Sequence, residues 1–210
     1  MTLDEEIVAC RKCPRLVEWR ERVALDKRRA FMDEEYWGKP VPNFGDPEAK
    51  RLIVGLAPAA HGANRTGRIF TGDRSGDWLY RALFRAGLAN QAESVHAGDG
   101  LVLKGVLITA VVHCAPPDNK PKPDEISACC AYLTRLLEDR SFKVILCLGG
   151  LAWRQVHRLL NRSMPRFGHG AEAPGEPRVL ASYHPSQQNT FTGRLTEQML
   201  DEVVSRFARH

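Results

Sequence analysis

The sequence predicts an α/β fold: a three-layer α/β/α sandwich whose central sheet has four strands, mainly parallel, with helices on both faces. Three observations predict it. Four short runs rich in Leu and β-branched residues read as strands buried on both faces. Stretches with helical spacing alternate with them, the order of a parallel sheet built from strand–helix–strand units. And 210 residues, 43% of them hydrophobic, suffice for one substantial core, so residues 1–210 are expected to form a single domain.

In chain order, the first 45 residues are charge-rich with scattered aromatics (Trp19, Phe31, Tyr36, Trp37) and read as a helical or irregular arm. The strands are expected over Arg51 to Ala57, Gly105 to Val112, Lys143 to Gly149 and Arg178 to Tyr183. The helices are expected over Gly76 to Ala89, Pro123 to Asp139, Leu151 to Asn161 and Gly193 to Ala208. In such sheets ligands gather beyond the carboxyl ends of the strands, so the loops that follow them are the informative ones. Three carry special chemistry: Ala57 to Gly62, Cys114 to Pro117, and His184-Pro185-Ser186.

Lys and Arg outnumber Asp and Glu by 30 to 25, a net charge of +5 that mildly favours polyanionic partners. No apolar run approaches the roughly 18 residues of a membrane span, and Asp4, Glu5 and Glu6 are unlike the basic start of a signal peptide. A cytoplasmic protein acting as a monomer is expected. Six cysteines are then poor candidates for disulfides, because the cytosol keeps thiols reduced. Cys10 and Cys13 are spaced to share one metal centre, and Cys114 with Cys129 supplies a second pair, Cys130 competing with Cys129 as the fourth ligand. Cys147, inside an apolar run, reads as a buried small hydrophobe. Spacing alone does not separate zinc from a [4Fe-4S] cluster, since both accept four thiolates.

Gly55-Leu56-Ala57-Pro58-Ala59-Ala60-His61-Gly62, continued by Asn64 to Asp73, resembles the first motif of the uracil-DNA glycosylase superfamily, specifically its family 5 (B-type) enzymes. His184-Pro185-Ser186-Gln187-Gln188-Asn189 is similar to the second motif. The resemblance implies a four-stranded α/β/α sandwich and a structural [4Fe-4S] cluster on the four cysteines. It also implies hydrolysis of the bond between sugar and base for uracil in DNA and, in the B-type, for hypoxanthine and xanthine, as the first step of base-excision repair.

A base cannot be attacked inside the stack, so it must be flipped into a pocket. Phe70 is suited to stack on the flipped ring, or else is an ordinary core aromatic, and the backbone amides from Leu56 to Ala60 can read its edge. His184 is the first catalytic candidate: an N–H placed where the departing base gathers negative charge lowers the barrier. Gln187, Gln188 and Asn189, with Ser186, make a polar tip suited to the minor groove. Arg65, Asn119 and Lys120 are candidate phosphate contacts.

Two departures stand out. Leu56 and Ala57 occupy positions where other glycosylase families carry a polar, water-positioning group, which leaves His61, Asp73 or a backbone carbonyl near Ala57 to activate water. Asp73 ranks first, although it is also placed to cap the helix that follows. Ala110 stands where relatives commonly have Asn, so a base range broader than uracil is expected. No lysine lies in either motif, consistent with a monofunctional enzyme that uses water. The alternatives are a DNA-damage-binding module without chemistry and a zinc-stabilised phosphohydrolase or nucleotide-binding protein.

Overall fold

The computed structural model describes all residues, 1–210. Four parallel strands form the middle of the sheet: β2 (Arg51–Gly55), β3 (Val106–Ala110), β4 (Val144–Leu148) and β6 (Arg178–Ser182). Two antiparallel two-residue strands, β1 (Phe44–Gly45) and β5 (Glu172–Ala173), are added at its edges. The sheet therefore has six strands in the order β1-β3-β2-β4-β6-β5 rather than four. The edge pairs escape sequence reading because two residues carry no alternation to detect.

All four expected parallel strands are present, each ending earlier than its apolar run. Gly55 and Ala110 are paired at the ends of β2 and β3, and Leu148 and Ser182 at the ends of β4 and β6. Beyond those pairs the main chain turns out of the ladder while side chains stay buried, as Val111 and Val112 do, so hydrophobicity overruns the hydrogen-bonded strand.

Side chains alternate between two cores. Ile53, Ile108, Leu146 and Leu180 face α4 (Arg74–Arg85) and α8 (Glu197–Ala208), which contribute Leu79, Tyr80, Leu83, Val204 and Phe207. Leu52, Val54, Ile145 and Cys147 face the other way, against α1 (Leu3–Val8), α5 (Pro123–Asp139) and α6 (Gly150–Leu159), which bring Ile7, Leu133, Leu136 and Trp153. This is the three-layer sandwich. The arm is helical over α1 and α2 (Pro14–Asp26) and irregular after them.

The expected helices are present, α5 with its expected bounds and the other three with shifted starts. α4 opens at Arg74 because Asp73 caps it, and α8 opens at Glu197, capped by Thr196, whose hydroxyl accepts the Met199 amide at 3.2 Å. Two short helices were not foreseen: α3 (Ala63–Thr66) in the first motif and α7 (Gln187–Phe191) in the second. From β2 the chain crosses outward to β3, then returns past β2 to β4. That reversal places a switch point between β2 and β4, where a crevice opens beyond the strand ends.

Candidate active site

The loop after β2 sits at that crevice. The Leu56 carbonyl accepts the Val112 amide at 3.0 Å, and Ala59 O takes the amides of Gly62 and Asn64. The amides of Ala57, Ala59, Ala60 and His61 donate to nothing within the chain. The loop thus presents a row of free donors, with the buried Pro58 behind them.

Phe70 packs against the end of β2. A Cβ added to Gly55 would stand 2.8 Å from Phe70 Cε2, so only glycine admits the ring there. Phe70 has φ 53°, a left-handed conformation that bulky residues avoid and that rigid surroundings must impose. Those surroundings are visible. The Tyr80 hydroxyl donates to Ile69 O at 2.7 Å, and Gly76 lies against the Phe70 carbonyl, where a Cβ would clash at 1.7 Å.

His184 leaves β6 and faces the same place, its ring centroid 5.7 Å from that of Phe70 with planes 31° apart. Gly149, at φ 100°, lets the chain after β4 pass behind it, donating its amide to Ser182 O at 2.9 Å. The His184 ring makes no hydrogen bond within the chain, which leaves both nitrogens for a ligand. Burial pushes its pKa down to about 4, so at pH 7 the ring is neutral, with one nitrogen able to donate and the other to accept. Asn189 Nδ2 donates to His184 O at 2.8 Å and Asn189 O accepts the Leu195 amide. Asn189 therefore holds the histidine backbone, a role its place in the expected groove-facing tip did not suggest. Gln187 and Gln188 are exposed, and Ser186 is the N-cap residue of α7 without a side-chain cap bond.

Asp73 caps the helix that follows it, the second of its two expected roles. Oδ1 accepts the Gly76 amide at 3.0 Å, capping α4, while Oδ2 lies so near Gly62 that a Cβ there would approach within 2.2 Å. Burial raises the carboxyl above its ordinary range against the pull of the Gly76 and Ser75 amides. His61 instead turns to the arm: its Nδ1 is 3.0 Å from the Tyr36 hydroxyl, and burial followed by the charges of Arg28 and Arg65 lowers its pKa. Ala110, 1% exposed, presents a methyl beside Gly55 at the sheet end.

Arg65 is not a surface cation. Only 7% exposed, it pairs with Glu34, donates to His61 O at 2.9 Å and Gly72 O at 3.0 Å, and stacks 3.9 Å from the Phe31 centroid. It staples the arm to the first motif, its Nε and both terminal nitrogens engaged within the chain. Arg68 is a second staple missed in the sequence: its guanidinium meets Asp99 at 2.8 and 2.6 Å, Thr71 at 2.9 Å and Ser94 at 2.9 Å. Asn119 and Lys120 are exposed, but Lys120 O is held by Arg15 of α2 at 3.2 Å, on the side of the cysteines, and no hydrogen bond joins them to the His184 loop.

Cys10, Cys13, Cys114 and Cys129 line one pocket, walled by Ile7, Leu16, His113 and Tyr132. Cys130, roughly 100° further round α5, turns away to Gln155 and Arg158, and Cys147 is sealed within β4. Burial, reinforced by the other thiols, pushes Cys114 and Cys129 up to about 12. Such thiols lose their protons readily only to a metal. The His113 amide donates to Cys129 Sγ at 3.4 Å, while its buried Nε2 has no partner. No three Cys, His, Asp or Glu side chains are grouped as a single-ion site.

Comparison with known proteins agrees with this geometry. A family model described as the uracil DNA glycosylase superfamily matches residues 42–208. The type-5 uracil-DNA glycosylase of Mycobacterium bovis is 56% identical over 96% of this chain and 78% of its own. That of Thermus thermophilus is 51% identical over 98% and 95%. The type-4 uracil-DNA glycosylase of Pyrobaculum aerophilum is 30% identical over 88% and 81%. A chain matched along most of its length by that family model, and so closely by type-5 enzymes, belongs to the uracil-DNA glycosylase superfamily, within its type-5 branch.

Proposed function

We propose that this chain is a monofunctional DNA glycosylase that hydrolyses the bond between sugar and base at uracil in DNA, the first step of base-excision repair. The observation that carries the reading is the facing pair of Phe70 and the unbonded, neutral His184 beyond the sheet end. A flipped base stacks on Phe70 and is read by the free amides of the Ala57 to His61 loop. Water adds to C1′ as the C1′–N bond breaks and gives up one proton to solvent; the departing base carries the electron pair away, is stabilised by the His184 N–H, and takes up a proton from solvent. Asp73 keeps Oδ2 to orient that water and to face the cationic sugar.

Hypoxanthine and xanthine are included in the proposed range, because the Ala110 methyl makes no demand on the base edge. Incubation with duplexes containing each base, followed by alkaline cleavage of abasic sites, tests the reading. Strand breaks at uracil are expected. Tight binding without breaks at any base would leave a damage-binding module instead.

The four-thiol pocket is proposed to hold a [4Fe-4S] cluster, whose cubane asks its thiolates to stand further apart than one ion does. Bound there, the cluster ties the arm, the loop after β3 and α5 together, a structural role. Cys10 and Cys13 with Cys114 and Cys129 are the proposed ligands.

A further inference from the structure

Most arginines near the site are already engaged within the chain: Arg65 with Glu34, Arg68 with Asp99, and Arg81 and Arg85 with Glu197. Arg74 and Arg194 differ. Both are exposed, and neither takes part in any of the chain's ion pairs. Yet each is laid against an aromatic ring, Arg74 Cζ 4.6 Å from the Phe191 centroid and Arg194 Cζ 4.6 Å from that of Tyr183.

Their positions are specific. Arg74 follows Asp73 directly, Tyr183 directly precedes His184, and Phe191 ends the short helix after His184 while remaining 67% exposed. The Arg74–Phe191 contact thus joins the residue after the first motif to the helix that carries the end of the second, and Tyr183 under Arg194 is the neighbour of the histidine. A ring under a guanidinium restrains the long side chain without occupying its N–H donors, which stay free for a bidentate partner such as a phosphate.

We propose that Arg74 and Arg194 form a two-point phosphate clamp that grips the DNA backbone beside the nucleotide entering the Phe70–His184 pocket, with Phe191 and Tyr183 as the supports that pre-organise the guanidiniums. The inference rests on the glycosylase reading above. It supplies the backbone contacts that the buried Arg65 does not, and gripping those phosphates helps offset the cost of unstacking a base.

The test is the salt dependence of binding to a duplex bearing a tetrahydrofuran abasic analogue, measured by fluorescence anisotropy on the full chain. Arg74→Ala and Arg194→Ala should each lower the slope of log K against log salt by about 0.9 and weaken binding about tenfold at 0.1 M salt, the double variant by twice the slope. Arg74→Lys should keep most of the slope. Arg81→Ala, which removes a guanidinium already paired with Glu197, should leave it unchanged. Unchanged slopes in both alanine variants, or an equal loss in Arg81→Ala, would overturn the clamp. Uracil excision by the unaltered chain is scored in parallel: intact excision with unchanged slopes sinks the clamp alone, whereas lowered slopes in a chain that excises nothing sink the glycosylase reading and leave the clamp standing.

Discussion

Asn189 donates its side-chain amide to the carbonyl of His184 at 2.8 Å, so the residue that aims the candidate catalytic ring lies five positions further along the chain. Asn189→Ala should release the His184 backbone and reduce single-turnover excision about 10- to 100-fold, with a stability loss of only about 1 kcal/mol. Single-turnover kinetics and thermal melting, read together, check this: a fall in melting temperature without a fall in rate would show that the bond only builds the loop.

Gly55 makes room for Phe70. Gly55→Ala places a methyl 2.8 Å from the ring edge and should cost about 1–3 kcal/mol while displacing the stacking surface. Phe70→Leu in the same chain should recover part of the stability but not the excision rate. Additivity of the two substitutions in melting experiments would mean that the side chains do not compete for the space.

Arg68 and Asp99 are 4% and 9% exposed and share two short hydrogen bonds. Arg68→Ala leaves the Asp99 carboxylate with backbone amides alone, while Thr71 and Ser94 keep their bond to each other at 2.7 Å, so a loss of about 3 kcal/mol is expected in chemical denaturation. Asp99 is held well below the usual carboxylate range by this pair and by the Leu101 and Val95 amides, despite the opposing effect of burial. Acid in the ordinary range therefore leaves the pair intact.

The histidine carries the pH dependence. His184 is depressed from 6.5 to about 4, so the folded chain keeps the ring neutral while the unfolded chain binds a proton. Its contribution to stability is complete above pH 6.5 and is lost as pH falls toward 4. His184→Gln should flatten that part of the stability profile and remove most excision. Excision itself should show no inflection near 6.5. An acid limb, where seen, belongs to the raised carboxyl of Asp73 and should vanish from the residual activity of Asp73→Asn.

Cys129→Ser should abolish the visible absorption expected of an iron-sulfur protein and destabilise the fold, whereas Cys130→Ser should retain the colour, because its thiol points to Gln155 and Arg158. Absorption spectra and iron content of the purified variants distinguish them. Equal bleaching by both would remove the ligand assignment.

What could be read in the sequence was what local pattern encodes. β2, β3, β4 and β6 are apolar runs buried on both faces, and α5 starts at Pro123 and ends at Asp139 as its spacing indicates. His184 and Phe70 were recognisable from motif residues, and the geometry then brought their rings together with centroids 5.7 Å apart. Other roles depend on partners distant in sequence, which pattern does not encode. Arg65 looks like a surface cation until Glu34 and Phe31 fold over it, and His61 is claimed by Tyr36 from an arm that showed no motif. The bond from Asn189 to His184 was hidden for a related reason: a polar residue in a polar loop shows nothing of whether its amide faces water or a carbonyl five residues back.

The two short edge strands have a consequence for the protein's behaviour at high concentration. On one flank residues 41–46 cover β3, with Val41 N on His113 O and Asp46 N on Val106 O continuing the β1 pairing. On the other, residues 170–173 cover β6, Ala181 N reaching Ala171 O. Neither outer strand of the parallel sheet offers a long row of open amides and carbonyls to a second molecule. The molecule is thereby protected against strand-by-strand stacking with its own copies.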